Sequence, residues 1–269
     1  AIIILFFIIL SAEIVRQYKL IHNAWLRISI CVILTILCKL SFGDIFCGLE
    51  YEDSYVFSFC AKQFNQGIYS SRFLIDAISV GSLENPFETC TYGGHFITYS
   101  VYLSVFTKLF GWSFLVISIA NSVLTFYILL ILSSFKKEST WNWLIGPIIY
   151  CIAPIINVFS NTFLAETFSS LICLTFILSY WYFREPKCTT QQALVYISFF
   201  LAIITKRENI VLLTIPGIHA LDLFIRSVRE RIVIQERCVY KAFKLSLSDI
   251  LPFICLMVIY LVFIHNIFS

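Results

Sequence analysis

Three carboxylates lie close together in the segment GLEYEDSYVF, residues 48–57. They belong to Glu50, Glu52 and Asp53, and crowding of this kind favours the protonated forms because each charge disfavours the next. Perturbed carboxylates of this type act as general bases or bind metal ions. A simpler interpretation stays open, because acids in the first turn of a helix are favoured by the helix dipole by about 0.3–1 kcal/mol each.

Two further charged positions interrupt apolar sequence. Glu166 opens the apolar run 163–183, and a carboxylate at a bilayer centre costs about 2.5–3.5 kcal/mol, which indicates a polar cavity or a partner. The segment TKREN places Lys206, Arg207 and Glu208 together. An ammonium and a guanidinium suit an anionic group such as a phosphate. The simpler alternatives are a first-turn acid at the interface and a polar turn between two spans.

Composition predicts an all-α, polytopic membrane protein. Hydrophobic residues make up 59% of the chain and charged residues 13%, against roughly 45–50% and about 25% in soluble domains. The apolar runs are continuous and do not alternate, which favours helices over a barrel. Runs of near-spanning length predict helices centred on 24–42, 113–134, 143–159, 163–183 and 249–267, and 193–225 is long enough for two.

A single transmembrane domain over residues 1–269 is the simplest organisation, with one structured outer loop at 43–95. The opening run AIIILFFIIL is typical of the tail of a preceding span, so we expect a fragment of a longer chain. The loop contains Cys47, Cys60 and Cys90, which allow one disulfide.

The charge bias predicts an orientation. The loop 43–95 carries seven acids and two bases, whereas 226–244 carries six bases. The positive-inside rule therefore places 226–244 in the cytoplasm and the loop outside. The number of crossings between them requires that one apolar segment is not a simple crossing. The candidate is 96–111, a short amphipathic segment that would lie along the interface or re-enter it. The acids of residues 50–53, Glu166 and TKREN then share the outer face.

The acidic cluster is predicted to begin an amphipathic helix over about residues 50–66, with Gly67 as a stop signal. Its apolar residues recur at steps of three to five, which is typical of a helix with one buried face. They are Tyr51, Tyr55, Val56, Phe59 and Phe64.

These features resemble the GT-C superfamily of polyprenyl-phosphate-sugar glycosyltransferases, which includes the protein O-mannosyltransferases and the aminoarabinose transferases. The resemblance covers most of residues 24–225 and rests on the order of four motifs. These are E-D-x-Y from Glu52 to Tyr55, the Gly94-His95 return running into YSVYLSVFTKLFG, P-x-x-x-x-x-S-x-x-x-L-A-E from Pro154 to Glu166, and A-x-x-T-[KR]-x-E from Ala202 to Glu208.

The resemblance implies a GT-C-like helical bundle and transfer of a sugar, with inversion, from a lipid phosphate to an acceptor hydroxyl. It implies Asp53 as the catalytic base with Glu52 beside it. A divalent cation between Asp53 and Glu166 is left open, since oxygen ligands suit hard metals. For His95, the simpler interpretation is a residue at the membrane interface with no role in binding. The expected substrate-binding residues are Glu50, Tyr55, His95, Glu166, Lys206, Arg207 and Glu208.

The expected partners are a polyprenyl-phosphate-linked sugar donor, the lipid bilayer and a glycan, lipid or protein acceptor. No nucleic acid is expected, because the basic run borders a span and acts as a topology signal. The expected location is the bacterial inner membrane, with a multi-pass chain and a site that faces outside. Two alternatives stay open: a transporter in which the acids and Lys206-Arg207 line a polar path, and a non-catalytic subunit of a glycan assembly machine.

Overall fold

The computed structural model describes ten stretches of the chain, and within them every regular element is helical, as predicted. The described residues are 2–21, 23–40, 57, 60–62, 64–65, 98–134, 141–153, 165–182, 189–231 and 250–262. The α-helices are α1 (Ile2–Tyr18), α2 (Ala24–Leu40), α3 (Thr98–Phe110), α4 (Phe114–Ser134), α5 (Ile145–Ile152), α6 (Ala165–Tyr182), α7 (Thr189–Thr205), α8 (Thr214–Arg231) and α9 (Ile250–Val262). Two 3₁₀ helices, Trp141–Leu144 and Arg207–Leu213, precede α5 and α8.

Helix α4 lies at the centre of the bundle and packs against α1, α2, α3, α5 and α6. It has 21 residues and a mean hydropathy of 2.4, and its length of about 31 Å matches a hydrocarbon core of about 30 Å. Among the described helices it is the one long and apolar enough to cross a membrane. The other apolar helices are shorter, so an arrangement of several spans stays a prediction.

Helix α3 is a short element, as the segment 96–111 was predicted to be. Its 13 residues extend about 20 Å, less than a hydrocarbon core. Gly111, with a φ of +83°, begins the turn into α4, a conformation that glycine adopts without a steric penalty. The hairpin is held by Tyr102, whose hydroxyl donates to the Ala120 carbonyl at 2.6 Å.

Helix α5 is shorter than the predicted span 143–159, and in this respect the prediction was wrong. The helix ends at Ile152, and Ala153 is extended with φ −64° and ψ 112°. The cause is Pro154, because a proline ring disfavours the helical conformation in the residue before it. The run 193–225 does divide into two helices, and a 3₁₀ helix joins them in place of the tight turn that was the simpler alternative for TKREN.

A buried cation fixes one end of the bundle, which we call the Ser133 end. Arg27 is 2% exposed, its Nη1 donates to the Ser133 carbonyl at 2.8 Å, and its guanidinium lies 4.9 Å from the ring centroid of Trp143. The Tyr18 hydroxyl is hydrogen-bonded to the Ser133 hydroxyl. These contacts tie α1, α2, α4 and the first 3₁₀ helix together.

Candidate functional site

An ion pair joins the first turn of α6 to the residue that follows α7. Lys206 Nζ lies 2.5 Å from Glu166 Oε1, and the two side chains are 21% and 25% exposed. Helices α6 and α7 pack together along their length and antiparallel, so the start of one meets the end of the other. The sequence predicted a polar cavity or a partner for the Glu166 carboxylate, and Lys206 is that partner.

A second contact holds the same two helix ends together. Asn209 Nδ2 donates to Ser169 Oγ at 2.9 Å and to the Ala202 carbonyl at 2.8 Å. The Ala202 carbonyl, in the last turn of α7, also accepts from the backbone N–H of Lys206 at 3.1 Å. Lys206 itself is extended, with φ −146° and ψ 135°. The backbone that carries the cation is thus fixed on both sides.

The beginning of α3 lies at the same end of the bundle. Thr98 Oγ1 donates to Thr205 Oγ1 at 3.1 Å, and the fully buried Tyr99 ring lies 6.0 Å from that of Phe168. Burial raises the pKa of Tyr99 well above its ordinary value, and the charge of Glu166 raises it further. The Tyr99 phenol therefore stays neutral. Through Thr98 and Tyr99, the beginning of α3 contacts α6 and α7 beside the ion pair.

Residues 57, 60, 61 and 64 belong to the helical part of the segment 43–95. All four are helical and buried, and their spacing of three and four residues defines one face of a helix. The Phe57 ring lies 5.3 Å from the ring of Tyr99 in an edge-to-face arrangement. This confirms the amphipathic helix in its second half, where the predicted Phe64 is among the buried residues.

Polar contacts at the far end of α3 fix the same helix. The side-chain amide of Asn65 lies 2.6 Å from Thr107 Oγ1, and Lys62 Nζ lies 4.9 Å from the ring centroid of Trp112. Cys60 is disulfide-bonded. Cys47 and Cys90 lie outside the described residues, so a disulfide between two of the three loop cysteines stays a prediction.

Several predicted site residues lie outside the described residues. These are Glu50, Glu52, Asp53, Tyr55 and His95, together with Tyr51, Val56 and Phe59 of the predicted apolar face. Of the remaining predicted residues, the structure brings together Glu166 and Lys206. Arg207 begins the second 3₁₀ helix, and Glu208 follows it with an exposed side chain.

The possible cation site is described only at Glu166. Within the described residues, no three side chains of His, Cys, Asp or Glu come together to hold a metal ion. The Glu166 carboxylate instead meets the Lys206 ammonium, whose positive charge competes with any cation at that oxygen. Because Asp53 lies outside the described residues, a cation between Asp53 and Glu166 stays a prediction.

Sequence reasoning missed four residues of this cluster: Thr98, Tyr99, Ser169 and Asn209. One signal for two of them was present. Ser169 follows Glu166 by three residues on α6, so the two lie on the same helix face. Asn209 likewise follows Lys206 by three residues in the sequence. Thr98 and Tyr99 carry no such signal, because their partners lie on other helices.

No protein-family profile, characterised protein or solved structure matches this chain.

Proposed function

We propose that this chain is a multi-pass membrane glycosyltransferase that moves a sugar from a polyprenyl-phosphate donor to an acceptor hydroxyl on the extracytoplasmic face. The observation that carries the proposal is the Glu166–Lys206 ion pair, formed beside the return from the acidic loop. A half-buried lysine held in place by a carboxylate is a ready partner for a phosphate, because the donor phosphate can take over its N–H groups.

The acidic cluster is the second part of the proposed site. Asp53 precedes Phe57 by four residues, which is about one helical turn. Phe57 rests on Tyr99, whose neighbour Thr98 bonds Thr205, the residue before Lys206. A helix that continues back from Phe57 would bring Asp53 towards the ion pair. In the proposed site, the base and the phosphate-binding cation flank the sugar.

The proposed reaction is a single inverting displacement. The Asp53 carboxylate takes the proton of the acceptor hydroxyl while that oxygen bonds to the anomeric carbon. The bond from the anomeric carbon to the phosphate oxygen breaks, and its electron pair leaves with the polyprenyl phosphate. Lys206 and Arg207 stabilise the charge that develops on the phosphate, while Glu166 positions Lys206.

The transfer assay tests the proposal with the full-length protein in liposomes. Polyprenyl-phosphate donors that carry radiolabelled hexoses or pentoses are supplied with membrane acceptors, and labelled product is counted. Lys206→Ala is expected to lower kcat/KM about 30- to 160-fold, because a charge-assisted hydrogen bond of about 2–3 kcal/mol is lost. The exposed Lys108 on α3 provides the matched control, and Lys108→Ala is expected to leave transfer unchanged.

Two results would overturn the proposal. The first is absence of transfer by the unaltered protein from every donor. The second is equal transfer by the Lys206→Ala and Lys108→Ala variants. Substrate-driven ion or solute flux across the liposomes, without sugar transfer, would make the transporter the better interpretation.

A further inference from the structure

The Lys206 ammonium uses only part of its hydrogen-bonding capacity within the protein. Its Nζ donates to Glu166 Oε1 at 2.5 Å, and within the described residues this carboxylate is the one group that accepts from it. An ammonium carries three N–H groups, so two are left for a ligand. The other carboxylate oxygen of Glu166 likewise accepts no hydrogen bond from the described part of the chain.

The backbone of Lys206 is held without the help of the ion pair. Its N–H donates to the Ala202 carbonyl at 3.1 Å, and its carbonyl accepts from the Asn209 N–H at 3.1 Å. The Asn209 side chain joins this segment to Ser169 on α6. The position of Lys206 in the bundle therefore does not depend on Glu166, and the ion pair can open while the two helix ends stay together.

The Glu166 carboxylate is able to turn away from the ammonium. Glu166 is the second residue of α6, and the side chains of the pair are 25% and 21% exposed. Because a glutamate side chain rotates about several bonds, its carboxylate can leave Nζ with the backbone unchanged. An ion pair that water reaches is weak, since water screens both charges. Another anion can therefore displace the carboxylate at a small cost.

A donor phosphate and the Glu166 carboxylate bind the same ammonium. The phosphate of a polyprenyl-phosphate sugar is a diester with a single negative charge, like the carboxylate. Both are oxyanions that accept strong hydrogen bonds from an ammonium. When the phosphate contacts Lys206, the two anions lie side by side and repel each other. The displaced carboxylate then needs a different hydrogen-bond donor, because a half-buried charge without one is costly.

The sugar itself brings a hydrogen-bond donor to this position. In a glycosyl phosphate the phosphate oxygen is bonded to the anomeric carbon, and the hydroxyl on the next ring carbon is the ring hydroxyl closest to the phosphate. A carboxylate displaced from a phosphate-bound ammonium is therefore beside that hydroxyl. Hydrogen bonds to this hydroxyl strengthen as an oxocarbenium-like transition state forms, so the contact also favours transfer.

We propose that Glu166 exchanges partners, from Lys206 before the donor binds to the hydroxyl next to the anomeric carbon once the donor phosphate contacts Lys206. This inference rests on the proposed function. The site then selects sugars that carry a hydrogen-bond donor on that carbon. It also distinguishes donor from product, because the polyprenyl phosphate left after transfer has no sugar hydroxyl for Glu166. The carboxylate returns to Lys206, and the lipid phosphate is released.

Equilibrium binding tests the exchange without transfer. The full-length protein is placed in nanodiscs, and Kd is measured for radiolabelled polyprenyl phosphate, polyprenyl-phosphate glucose and the matching 2-deoxyglucose lipid. Glu166→Gln is expected to bind bare polyprenyl phosphate about fivefold more tightly, because no carboxylate competes for Lys206. Its Kd for the glucose lipid is expected to change by less than about twofold, since the weaker hydroxyl contact offsets the lost competition.

The matched control is Glu13→Gln. Glu13 forms an ion pair with Arg16 on α1, so this variant also removes a paired carboxylate, and it is expected to leave all three Kd values unchanged. The unaltered protein gives a measurement that needs no variant to fold. It is expected to bind the 2-deoxyglucose lipid about tenfold more weakly than the glucose lipid, and Glu166→Gln is expected to show a much smaller difference.

Either of two results contradicts the partner exchange. One is a Glu166→Gln variant whose affinities for bare and sugar-bearing lipid change by the same factor. The other is equal binding of the glucose and 2-deoxyglucose lipids by the unaltered protein. The proposed function survives both results if the transfer assay is positive. Failure of the unaltered protein to bind any of the three lipids would instead refute the phosphate role of Lys206, and with it the proposed function on which the exchange rests.

Discussion

Asn209 Nδ2 lies 2.9 Å from Ser169 Oγ. Ser169 follows Glu166 by three residues, and Asn209 follows Lys206 by three. The same helix ends are therefore joined twice, once by charge through Glu166 and Lys206 and once by a neutral hydrogen bond. Because the two contacts lie about one turn apart on each segment, they fix both the spacing and the rotation of α6 relative to the TKREN segment. In the proposed function, this fixed position preorganises Lys206 for the donor phosphate.

The ion pair is expected to contribute to stability as a coupled unit. Glu166→Ala and Lys206→Ala each leave the other charge half-buried without this partner, which costs about 1–3 kcal/mol. The Glu166→Ala/Lys206→Ala double variant is expected to lose less than the two single losses added together, with a coupling of about 0.5–3 kcal/mol. Thermal unfolding in detergent compares the stability of the unaltered protein, the two single variants and the double variant. Additive losses would show that the contact has no energetic role.

Asn209 is expected to act as a positioning residue for the donor cation. Asn209→Asp keeps the shape of the side chain but removes both N–H donations, and about 1 kcal/mol is lost with each bond. The expected result is a KM for the donor raised about tenfold, with a much smaller change in kcat. The matched control is Thr214→Ala, because the exposed Thr214 hydroxyl bonds only within its own segment, to the Val211 carbonyl. A kcat that falls with KM unchanged would contradict the positioning role.

The buried guanidinium at the Ser133 end is expected to dominate stability there. Arg27→Ala removes a charged hydrogen bond and a desolvated cation–π contact, together about 2–4 kcal/mol. Arg16 lies on the neighbouring helix with a 45% exposed side chain paired to Glu13. Arg16→Ala is expected to cost under about 1 kcal/mol. Equal shifts in thermal unfolding temperature for the two variants would contradict the packing described for Arg27.

The disulfide at Cys60 is expected to protect that residue from alkylation. In the folded protein, N-ethylmaleimide should leave Cys60 unmodified. After denaturation and reduction Cys60 should react, with mass spectrometry as the readout. Modification of Cys60 before reduction would contradict the bond.

Much of the helical framework was predictable from the sequence, because long apolar runs specify helices regardless of their neighbours. Helix α4 matches the predicted 113–134 almost to the residue. The failure at 143–159 has a local cause, the proline at position 154, whose effect on Ala153 outweighs the apolar pattern. The prediction from the apolar pattern did not treat Pro154 as the end of the helix.

The candidate site was predictable only in its charged members. Glu166 was conspicuous because a carboxylate in an apolar run needs a partner, and Lys206 was conspicuous for the same reason. Tyr99 was not, because an aromatic residue in an apolar helix has the same pattern whether it packs in a core or borders a site. Its position beside Phe57 and Phe168 depends on how three segments meet, which no local spacing encodes.

Cysteine accessibility tests the central claim, a single site on the outer face, most directly. Cysteines are introduced one at a time at positions 53, 166 and 207, in the full-length protein without its native cysteines, and intact cells are treated with a membrane-impermeant maleimide. The account predicts that all three positions are labelled from outside, and that a polyprenyl-phosphate donor slows the labelling. Labelling of position 166 or 207 only from the cytoplasmic side would contradict the account, because the proposed base and the phosphate-binding cation would then lie on opposite faces of the membrane.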